Sequence, residues 1–579
     1  MKKNKYRDHY CGNLTEDNIN EHITVCGWVD SVRDHGGILF LDLRDSEGVL
    51  QVTSQDNDMF VNLNKESVVR VTGTIRKRDE DDYNEKIKTG TIELVAEKVE
   101  VISKCQHVLP FEIKTSRSVS DEIRLKYRYL DLRNPKMHDI VKLRNELLHF
   151  IRNKMYNMNF TEVQTPILTT SSPEGARDFV VPSRNFQGKF YALPQAPQIY
   201  KQLLMVSGID QYFQIAPCFR DEDPRADRTL EFYQLDIERA FPEIDELYEL
   251  GEDIYCDIFS KFSDKKIVTK DFPRIPYREA MLKYGTDKPD LRNPLEIVDL
   301  TDEFKDTSFK PFRNTTVRGI KVDNLEDKTN SWYNDIVDYA TSIGMPGIGY
   351  INVQDDMTFK GPIDKFLTDE EREALIKKAD LKKGSALFFI ADKRNYNRYA
   401  SLIRTYLGNK LDLIDKNVYY FCIINDFPMF EYDDENDKID FGHNPFSRPQ
   451  CELKDITKEN FENILAYQFD FVCNGEEMAS GAIRNTDLDV LFKCFELVGY
   501  DKKTVKEKFK SITTAFEYGV PPHGGFAPGL DRILMMLLDE DNLREVQTFP
   551  PAASGQDVLM GGPTELTEQQ LREIHVKIR

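Results

Sequence analysis

Three stretches of this chain concentrate side chains that can hold anions and metal ions. The first, CFRDEDPRADRTLEFYQLD (218–236), packs arginines and acids together before it turns apolar. The second, FDFVCNGEEMASGAIR (469–484), sets two acids after a turn, then a run of small residues, then Arg484. The third, HGGFAPGLDRILMMLL (523–538), puts a glycine-rich turn directly before an apolar helix with Arg532 in its first turn. Mixed charge at this density has two explanations. The charges neutralise one another on a solvated loop, or they hold a polyanion and a metal ion at once. The free N–H groups of a helix start suit phosphate, and carboxylates suit a hard divalent ion.

Such residues need elements to position them. Side chains alternate across a strand. Over 211–220, Tyr212, Gln214, Ala216, Cys218 and Arg220 share one face, and Phe213, Ile215, Pro217 and Phe219 form an apolar one. Over 230–241, Phe232, Gln234, Asp236 and Glu238 lie opposite Tyr233, Leu235 and Ile237. The pattern predicts two half-buried strands joined by the charged loop 221–229. An arginine and an aspartate on a sheet face need partners; the residues alone leave open whether these are neighbours or a ligand. Asn474 and Gly475 signal a hairpin turn. Glu477 and Arg484 have the wrong parity to share a face of a flat strand, so a bulge near Ser480 and Gly481 is expected if both do. The small run 479–482 reads as room for a ligand to approach the backbone.

A chain of 579 residues exceeds one core, and three or four domains are expected. Its 40% hydrophobic and 31% charged residues fit a soluble globular protein. The apolar run 533–538 is too short to span a bilayer, and MKKNKYRDHYCGNL has no apolar stretch behind its lysines, so no signal peptide is expected. Nine cysteines without a CxxC pair argue against a zinc knuckle or a disulfide framework and fit a reducing cytoplasm. A net charge of −21 argues against general nucleic-acid binding, but it is compatible with a local basic or aromatic surface. Residues 22–105 read as five short strands (22–29, 38–44, 49–54, 68–76 and 91–102) with DHGG and DSEG turns. Five such strands suggest an OB barrel. One face of such a barrel binds single-stranded nucleic acid, with Arg33, Phe40 and Gln51 as candidates; taken alone, a single aromatic such as Phe40 in an alternating strand reads first as core. The polar stretch 114–121 reads as a hinge, 123–158 as a helix, and 290–420 as an α+β insertion without a catalytic cluster.

Together, NFTEVQTPILTTSSPEGARDF, FRDEDPRADRTLEFYQLD and GLDRILMMLL resemble, in order and spacing, the three signature motifs of class II aminoacyl-tRNA synthetases. PEGARDF, QAPQIYKQLL, FRDEDPRADR and the C-terminal GGPTELTEQQLREIHVKI narrow the resemblance to the aspartyl-tRNA synthetases in their bacterial form, over nearly the whole chain. The resemblance implies a multidomain architecture. It has an all-β OB anticodon-binding domain at 1–106, a hinge at 107–125 and an α+β catalytic domain on an antiparallel sheet at 126–289 and 421–557. An α+β insertion domain at 290–420 splits the catalytic domain, and an extension at 558–579 ends the chain. In the first motif a helix and a strand ending at Pro166 would build a homodimer interface. The implied activity is that of a cytoplasmic ligase with no membrane partner. It activates L-aspartate with ATP and Mg²⁺, then transfers it to the 3′ end of tRNA-Asp.

The resemblance also implies residue roles. Arg220 and Arg532 are the catalytic cations, on the α-phosphate with the substrate carboxylate and on the γ-phosphate. Phe232 stacks on adenine and Glu222 accepts from its amine, with Asp221, Thr229, Gly529, Leu530 and Asp531 completing the ATP site. Glu477 and Asp470 hold Mg²⁺. Arg484 forks the aspartate side chain, Lys201 adds a second charge, Glu174, Gln198 and Asp236 take the α-ammonium, and His443 lies on the substrate side. Arg225 and Arg228 in the mobile loop 221–229 face the tRNA acceptor end. Arg33, His35, Phe40 and Gln51 face the anticodon, and a histidine at position 35 accompanies charging of both tRNA-Asp and tRNA-Asn. Three positions depart from the family pattern: Thr229 in place of Gln, Asn444 in place of a second His, and ASGAIR in place of a glycine triplet. Asparaginyl and lysyl enzymes share the barrel and motifs. A lysine pocket would need an acid where Arg484 lies, and an asparagine pocket has less use for Lys201 with Arg484. A tRNA-independent amide-forming relative typically lacks the barrel.

Overall fold

The computed structural model describes residues 4–35, 38–56, 58–60, 63–171, 176–434 and 436–579, and of His35 the backbone alone. The chain divides into two compact units, Met1–Glu112 and Ile113–Arg579.

The first unit is a closed barrel of β1 (His22–His35), β2 (Ile38–Arg44), β3 (Val49–Ser54), β4 (Val68–Lys77) and β5 (Ile92–Ser103), in the order β1-β2-β3-β5-β4. Alternation fills the interior with Ile23, Val25, Leu41, Leu43, Val52, Val71 and Leu94, each stabilising the fold by about 1.5–3 kcal/mol when fully buried. β1 runs well past the expected end at residue 29. A register shift between Val29 and Ser31 bends it, so that its first half pairs with β4 and its second with β2. Arg33 pairs with Phe40 and Asp42 with Gln51 across the outer wall. Phe40 is half-buried there and takes no part in the interior cluster.

The second unit is built on an eight-stranded sheet. Its strands are β6 (Thr161–Glu162), β7 (Gln211–Phe219), β8 (Glu231–Ala240), β9 (Arg274–Pro276), β10 (Phe421–Asn425), β11 (Gln468–Cys473), β12 (Glu476–Ile483) and β13 (His523–Phe526). Their spatial order is β9-β10-β11-β12-β13-β8-β7-β6. The central pairs are antiparallel, and the edge pairs β6–β7 and β9–β10 are parallel. β6 stops at Glu162, short of the expected Pro166: the N–H of Thr165 turns to Gln214 Oε1 (3.3 Å), and Pro166 has no N–H to offer a ladder.

One sheet face is covered by α1 (Pro135–Asn157), α3 (Ile244–Phe262) and α4 (Leu530–Leu538); α2 (Gln198–Val206) lies between β6 and β7 in the chain. Leu147, Ile151, Ile254, Phe259 and Ile533 from these helices meet Phe213, Leu235, Phe421, Phe469, Phe471 and Phe526 from the sheet. The helix expected over 123–158 is broken into Asp121–Lys126, Arg128–Asp131 and α1. Pro135 opens α1 and Asn134 caps it, accepting from the N–H of Lys136 (3.0 Å).

The stretch read as a hinge is docked on the second unit. Ile113 and Ser116 are buried, and Arg117 bonds Glu540 (2.8 Å) and Glu545 (3.3 Å). Behind it, the fully buried Arg128 donates to the carbonyls of Arg544, Gln547 and Thr548 and to Asp131. Between β9 and β10 the chain forms a separate five-stranded sheet: Ile297–Asp299, Thr316–Val322, Ala386–Asp392, Gly349–Val353 and Phe359–Lys360, in that order. Helices Asn330–Ser342 and Tyr396–Lys410 pack on one face and Asp369–Lys378 on the other. Among the described residues no helix is long and apolar enough to cross a membrane.

Candidate active site

The sheet face away from the helices is polar and floors a cavity of about 620 Å³. Period-two alternation explains why: the residues flanking each core aromatic point the other way. β8 sends Leu235 and Ile237 into the core and Asp236 and Glu238 to the cavity side, both at 0% exposure. β11 does the same with Phe469 and Phe471 against Gln468 and Asp470.

Four buried charges interlock on this floor. Lys201 of α2 donates to Asp236 Oδ1 (2.7 Å) and lies 3.5 Å from Glu238 Oε2. Arg484 forks Glu238 through Nε (2.9 Å) and Nη2 (3.0 Å) and also donates to the Gly525 carbonyl (3.3 Å). A Cβ on Gly525 would stand 2.5 Å from Glu238 Oε2 and 2.0 Å from the Ile237 carbonyl oxygen, so only glycine admits this pair. Burial alone would raise the Glu238 carboxyl, but Arg484 and Lys201 outweigh it and hold the pKa below the usual range. At Asp236 burial wins and the pKa rises, with Lys201 opposing. Tyr212 directs its one proton to Gln214 (2.9 Å), and Asp236 Oδ2 accepts no hydrogen bond among the described residues. Gln198 Nε2 and Thr229 Oγ1 are likewise buried without partners there. Unmet buried donors and acceptors at one cavity are places for a polar ligand.

A second acidic group lies toward the β11–β12 hairpin, whose turn has Asn474 and Gly475 at φ 52° and 91°. Asp470 accepts from Ser480 Oγ (2.5 Å); burial, and then Glu477, raise its pKa well above the usual carboxylate range. Lys288 Nζ lies 3.2 Å from Glu477. Two neighbouring carboxylates with Lys288 beside them still carry excess negative charge, which suits a hard divalent ion. Among the described residues no group of three or more His, Cys, Asp or Glu forms a metal cage, so such an ion would draw its other ligands from an anionic substrate and water.

Above the floor, Arg220 lies over the Phe232 ring (5.0 Å to the centroid) and makes no ion pair with another described residue. Arg228 pairs with Glu222 (3.1 Å), and Arg532 pairs with Glu476 and donates to the Asp227 carbonyl (3.3 Å). His443 lines the cavity edge-on to Phe427 (4.9 Å), and burial lowers its pKa, leaving the ring neutral near pH 7.

Residues 120–553 match the model of the tRNA synthetases class II (D, K and N), and residues 23–102 match the OB-fold nucleic acid binding domain. The chain belongs to the class II tRNA synthetases. It is 48% identical over 589 residues to an aspartate–tRNA(Asp/Asn) ligase of Ehrlichia ruminantium (strain Welgevonden), covering 99% of each chain. It is 47% identical over 581 residues to an aspartate–tRNA ligase of Streptomyces coelicolor, again covering 99% of each. Among solved structures, a putative aspartyl-tRNA synthetase of Leishmania major shares the fold at TM-score 0.59 and 20% identity, covering 95% of this chain and 94% of that one. The asparaginyl-tRNA synthetase of Pyrococcus horikoshii does so at TM-score 0.56 and 20% identity, covering 94% and 97%.

The cavity brings together Gln198, Lys201, Arg220, Glu222, Arg228, Thr229, Phe232, Asp236, His443, Asp470, Glu477, Arg484, Gly529, Asp531 and Arg532 of the sequence-derived set. Several sit differently from expectation. Arg484 is already forked by Glu238. Leu530 packs in the core at 1% exposure, so only its backbone can serve a ligand. Asp531 is engaged by Arg144 and by Gln547 Nε2 (2.8 Å). Asp221 does not line the cavity; its backbone pairs with Arg177. The loop 221–229, expected to be mobile, is a held turn: Arg225 N donates to the Arg228 carbonyl (2.9 Å), and Leu543 N to that of Ala226 (2.8 Å). On the barrel wall Arg33 pairs with Asp42 (2.9 Å), and Gln51 donates to Glu93 (3.1 Å). Glu174 and the side chain of His35 lie outside the described residues.

The bulge is displaced too. Ala479 pairs with Phe471 and Glu477 with Val472, which makes Met478 the extra residue in place of one near Ser480 and Gly481. Gly481 serves the core: a Cβ there would meet Phe469 at 2.5 Å and Phe526 at 2.7 Å. Sequence reasoning left Glu238, Glu476, Asp287 and Lys288 without a site role. Strand parity already put Glu238 beside Asp236, but no local signal places Lys288 near Glu477.

Proposed function

We propose that this chain acts as an aspartate–tRNA ligase. The observation that carries the reading is the pair Lys201 and Arg484, each 3% exposed, side by side on the cavity floor and tied to one glutamate. A carboxylate side chain entering the cavity meets an ammonium and a guanidinium there; a lysine side chain would meet repulsion. The family's activity on aspartate in the named relatives supports the same choice.

In the proposed reaction a carboxylate oxygen of L-aspartate attacks the α-phosphorus of ATP. The bond to the pyrophosphate oxygen breaks, leaving aspartyl-adenylate. The terminal ribose hydroxyl of the tRNA then attacks the aspartyl carbonyl and AMP leaves, the hydroxyl proton passing to solvent or the leaving phosphate. Positioning and charge neutralisation do most of the work in such a transfer. Arg220, which makes no ion pair among the described residues, would bring the attacking carboxylate and the α-phosphate together. Asp236 Oδ2 and Gln198 would orient the substrate's α-ammonium and polar edge. Phe232 would take adenine on the ring face that Arg220 leaves open, and Arg532 at the start of α4 would exchange Glu476 for the γ-phosphate. Asp470 and Glu477 would hold Mg²⁺, which supplies neutralising charge to the phosphates when bound. The OB barrel would read the anticodon through its outer wall of Arg33, Phe40 and Gln51, and Arg225 would lie toward the acceptor end. The remaining elements of the reading are a cytoplasmic homodimer that charges tRNA-Asp and, through position 35, tRNA-Asn.

Pyrophosphate exchange into ATP that depends on aspartate, and not on asparagine or lysine, is the expected result. Exchange with either of the others, or none, refutes the reading. Charging of purified tRNA-Asn beside tRNA-Asp decides the tRNA range.

A further inference from the structure

The adjacent acids Glu476 and Glu477, at the bulged start of β12, reach in opposite directions. Glu476 holds Arg532 on the α4 side of the cavity. Glu477 holds Lys288 on the other side, at 3.2 Å. Lys288 also meets Asp287 Oδ2 (3.0 Å), and both residues line the cavity. Arginines crowd the α4 side, whereas on its own side Lys288 is, among the described residues lining the cavity, the cation facing Glu477, Asp287 and Asp470.

Lys288 is also firmly carried. Its segment follows the helix Tyr277–Tyr284, which ends at Gly285 in the left-handed region (φ 70°). The N–H of Lys288 donates to Thr286 Oγ1 (3.1 Å). Two residues on, Arg404 donates to the carbonyls of Asp290 (3.0 Å) and Asn293 (2.6 Å) from a fully buried position. A guanidinium spent on backbone carbonyls fixes the path of the chain just where the insertion departs. The hairpin turn at Gly475 packs beside it, with a Cβ there 3.5 Å from that of Asp290. The lysine is thus delivered to the cavity by an anchored strap.

We propose that Lys288 binds the pyrophosphate half of ATP directly, opposite Arg532. In the empty site each cation is parked on a neighbouring glutamate. An entering polyphosphate lies between the two pairs and draws both cations, and Glu477, released by Lys288, would be free to hold a divalent ion. Charge-assisted N–H···O bonds to phosphate are strong, and the parked pair keeps the ammonium within one side-chain swing of its ligand. This inference rests on the proposed ATP-dependent activation.

The test is calorimetric titration of wild type, Lys288→Met and Lys288→Arg with three probes. These are MgATP, inorganic pyrophosphate with Mg²⁺, and a non-hydrolysable aspartyl-adenylate analogue that has no β- or γ-phosphate. K288M is expected to lose about ten- to hundredfold in affinity for the first two. It should keep wild-type affinity for the analogue within twofold, which also reports that the cavity is intact, and K288R should recover most of the loss. Equal weakening of all three probes makes Lys288 a tether of the strap, and unchanged MgATP binding removes it from the phosphate site; either result overturns the inference alone. Failure of the wild-type protein to bind both MgATP and the analogue overturns the proposed activity with it.

Discussion

Replacing Glu238 by Gln tests the buried charge network and the proposed substrate together. Glu238 is fully buried and accepts two bonds from Arg484, with Lys201 at 3.5 Å. A glutamine keeps the shape but offers one acceptor and one donor to two facing donors. Arg484 then loses half its fork, and the floor holds two cations against Asp236 alone. Removing one partner of a buried pair costs about 3–5 kcal/mol. The lower end applies here, because Asp236 still neutralises Lys201 and Arg484 keeps the Gly525 carbonyl. A loss of about 3 kcal/mol corresponds to a melting shift of about 3 °C in a unit of this size. The substrate supplies the missing charge: if its side-chain carboxylate meets Arg484 and Lys201, aspartate replaces what E238Q removed. Saturating aspartate at about a hundred times Kd stabilises the wild type by ~2.7 kcal/mol, and it should stabilise E238Q by more, whereas asparagine should not. Thermal denaturation of both proteins alone, with aspartate and with asparagine reads the six melting temperatures needed. Equal melting of wild-type and variant apoprotein would refute the energetic argument. Equal stabilisation of both by aspartate would refute the placement of the substrate carboxylate.

Gly481→Ala should lower stability by about 1–3 kcal/mol through overpacking, since its Cβ would press on Phe469 and Phe526; a loss of ATP affinity at unchanged stability in urea would return Gly481 to the ligand side. Arg128→Met strands the carbonyls of Arg544, Gln547 and Thr548 beside Asp131, and urea denaturation should show a loss of about 3–5 kcal/mol; a loss under 1 kcal/mol would contradict this. Burial holds His443 and His523 below their ordinary pKa. The unfolded chain therefore binds more protons below pH ~6.5, and stability should fall with pH there by at most about 1.4 kcal/mol per unit for each histidine. His523→Gln should flatten that slope; an unchanged slope would mean the ring is not neutral in the fold. Glu238 and Glu545, whose pKa values are depressed despite burial because Arg484 and Arg124 outweigh it, contribute stability that is complete above the ordinary carboxylate range near ~4.3 and lost as pH falls below it.

Much of the site was legible because strand parity is local. The alternation in 211–220 and 230–241 sorted Phe213, Leu235 and Ile237 from Gln214, Asp236 and Glu238, and the folded strands keep that sorting. The barrel strands read correctly for the same reason, save the bend in β1, which depends on two partners at once. What sequence could not show is which charge meets which. Arg484 and Glu238 are 246 residues apart, and Arg117 and Glu540 423 apart. The stretch 107–125 does contain the boundary between the two units, but the anchoring of its second half was not legible, because a polar stretch with nothing to pair locally looks loose and its partners come from the far end of the chain.

The bulge shows how far a local rule carries before packing decides. Parity demanded one extra residue between Glu477 and Arg484, and any position between them would satisfy it. The core selects Met478. Ser480 must stay opposite Asp470 to donate to it, and Gly481 must stay opposite Phe469, where any side chain would strike two phenyl rings. Ala479 and Met478 itself are buried in the core cluster, so the slack can be taken up only next to the turn. The bulge then lies directly beside Glu476 and Glu477 and sets their parity relative to Ser480 and Arg484, while ordinary strand alternation sends the two consecutive acids toward different cations, Arg532 and Lys288. Packing of aromatic rings on the helix side thereby sets the spacing of charges on the cavity side, and a substitution among those rings reaches the polyphosphate site through the register of β12.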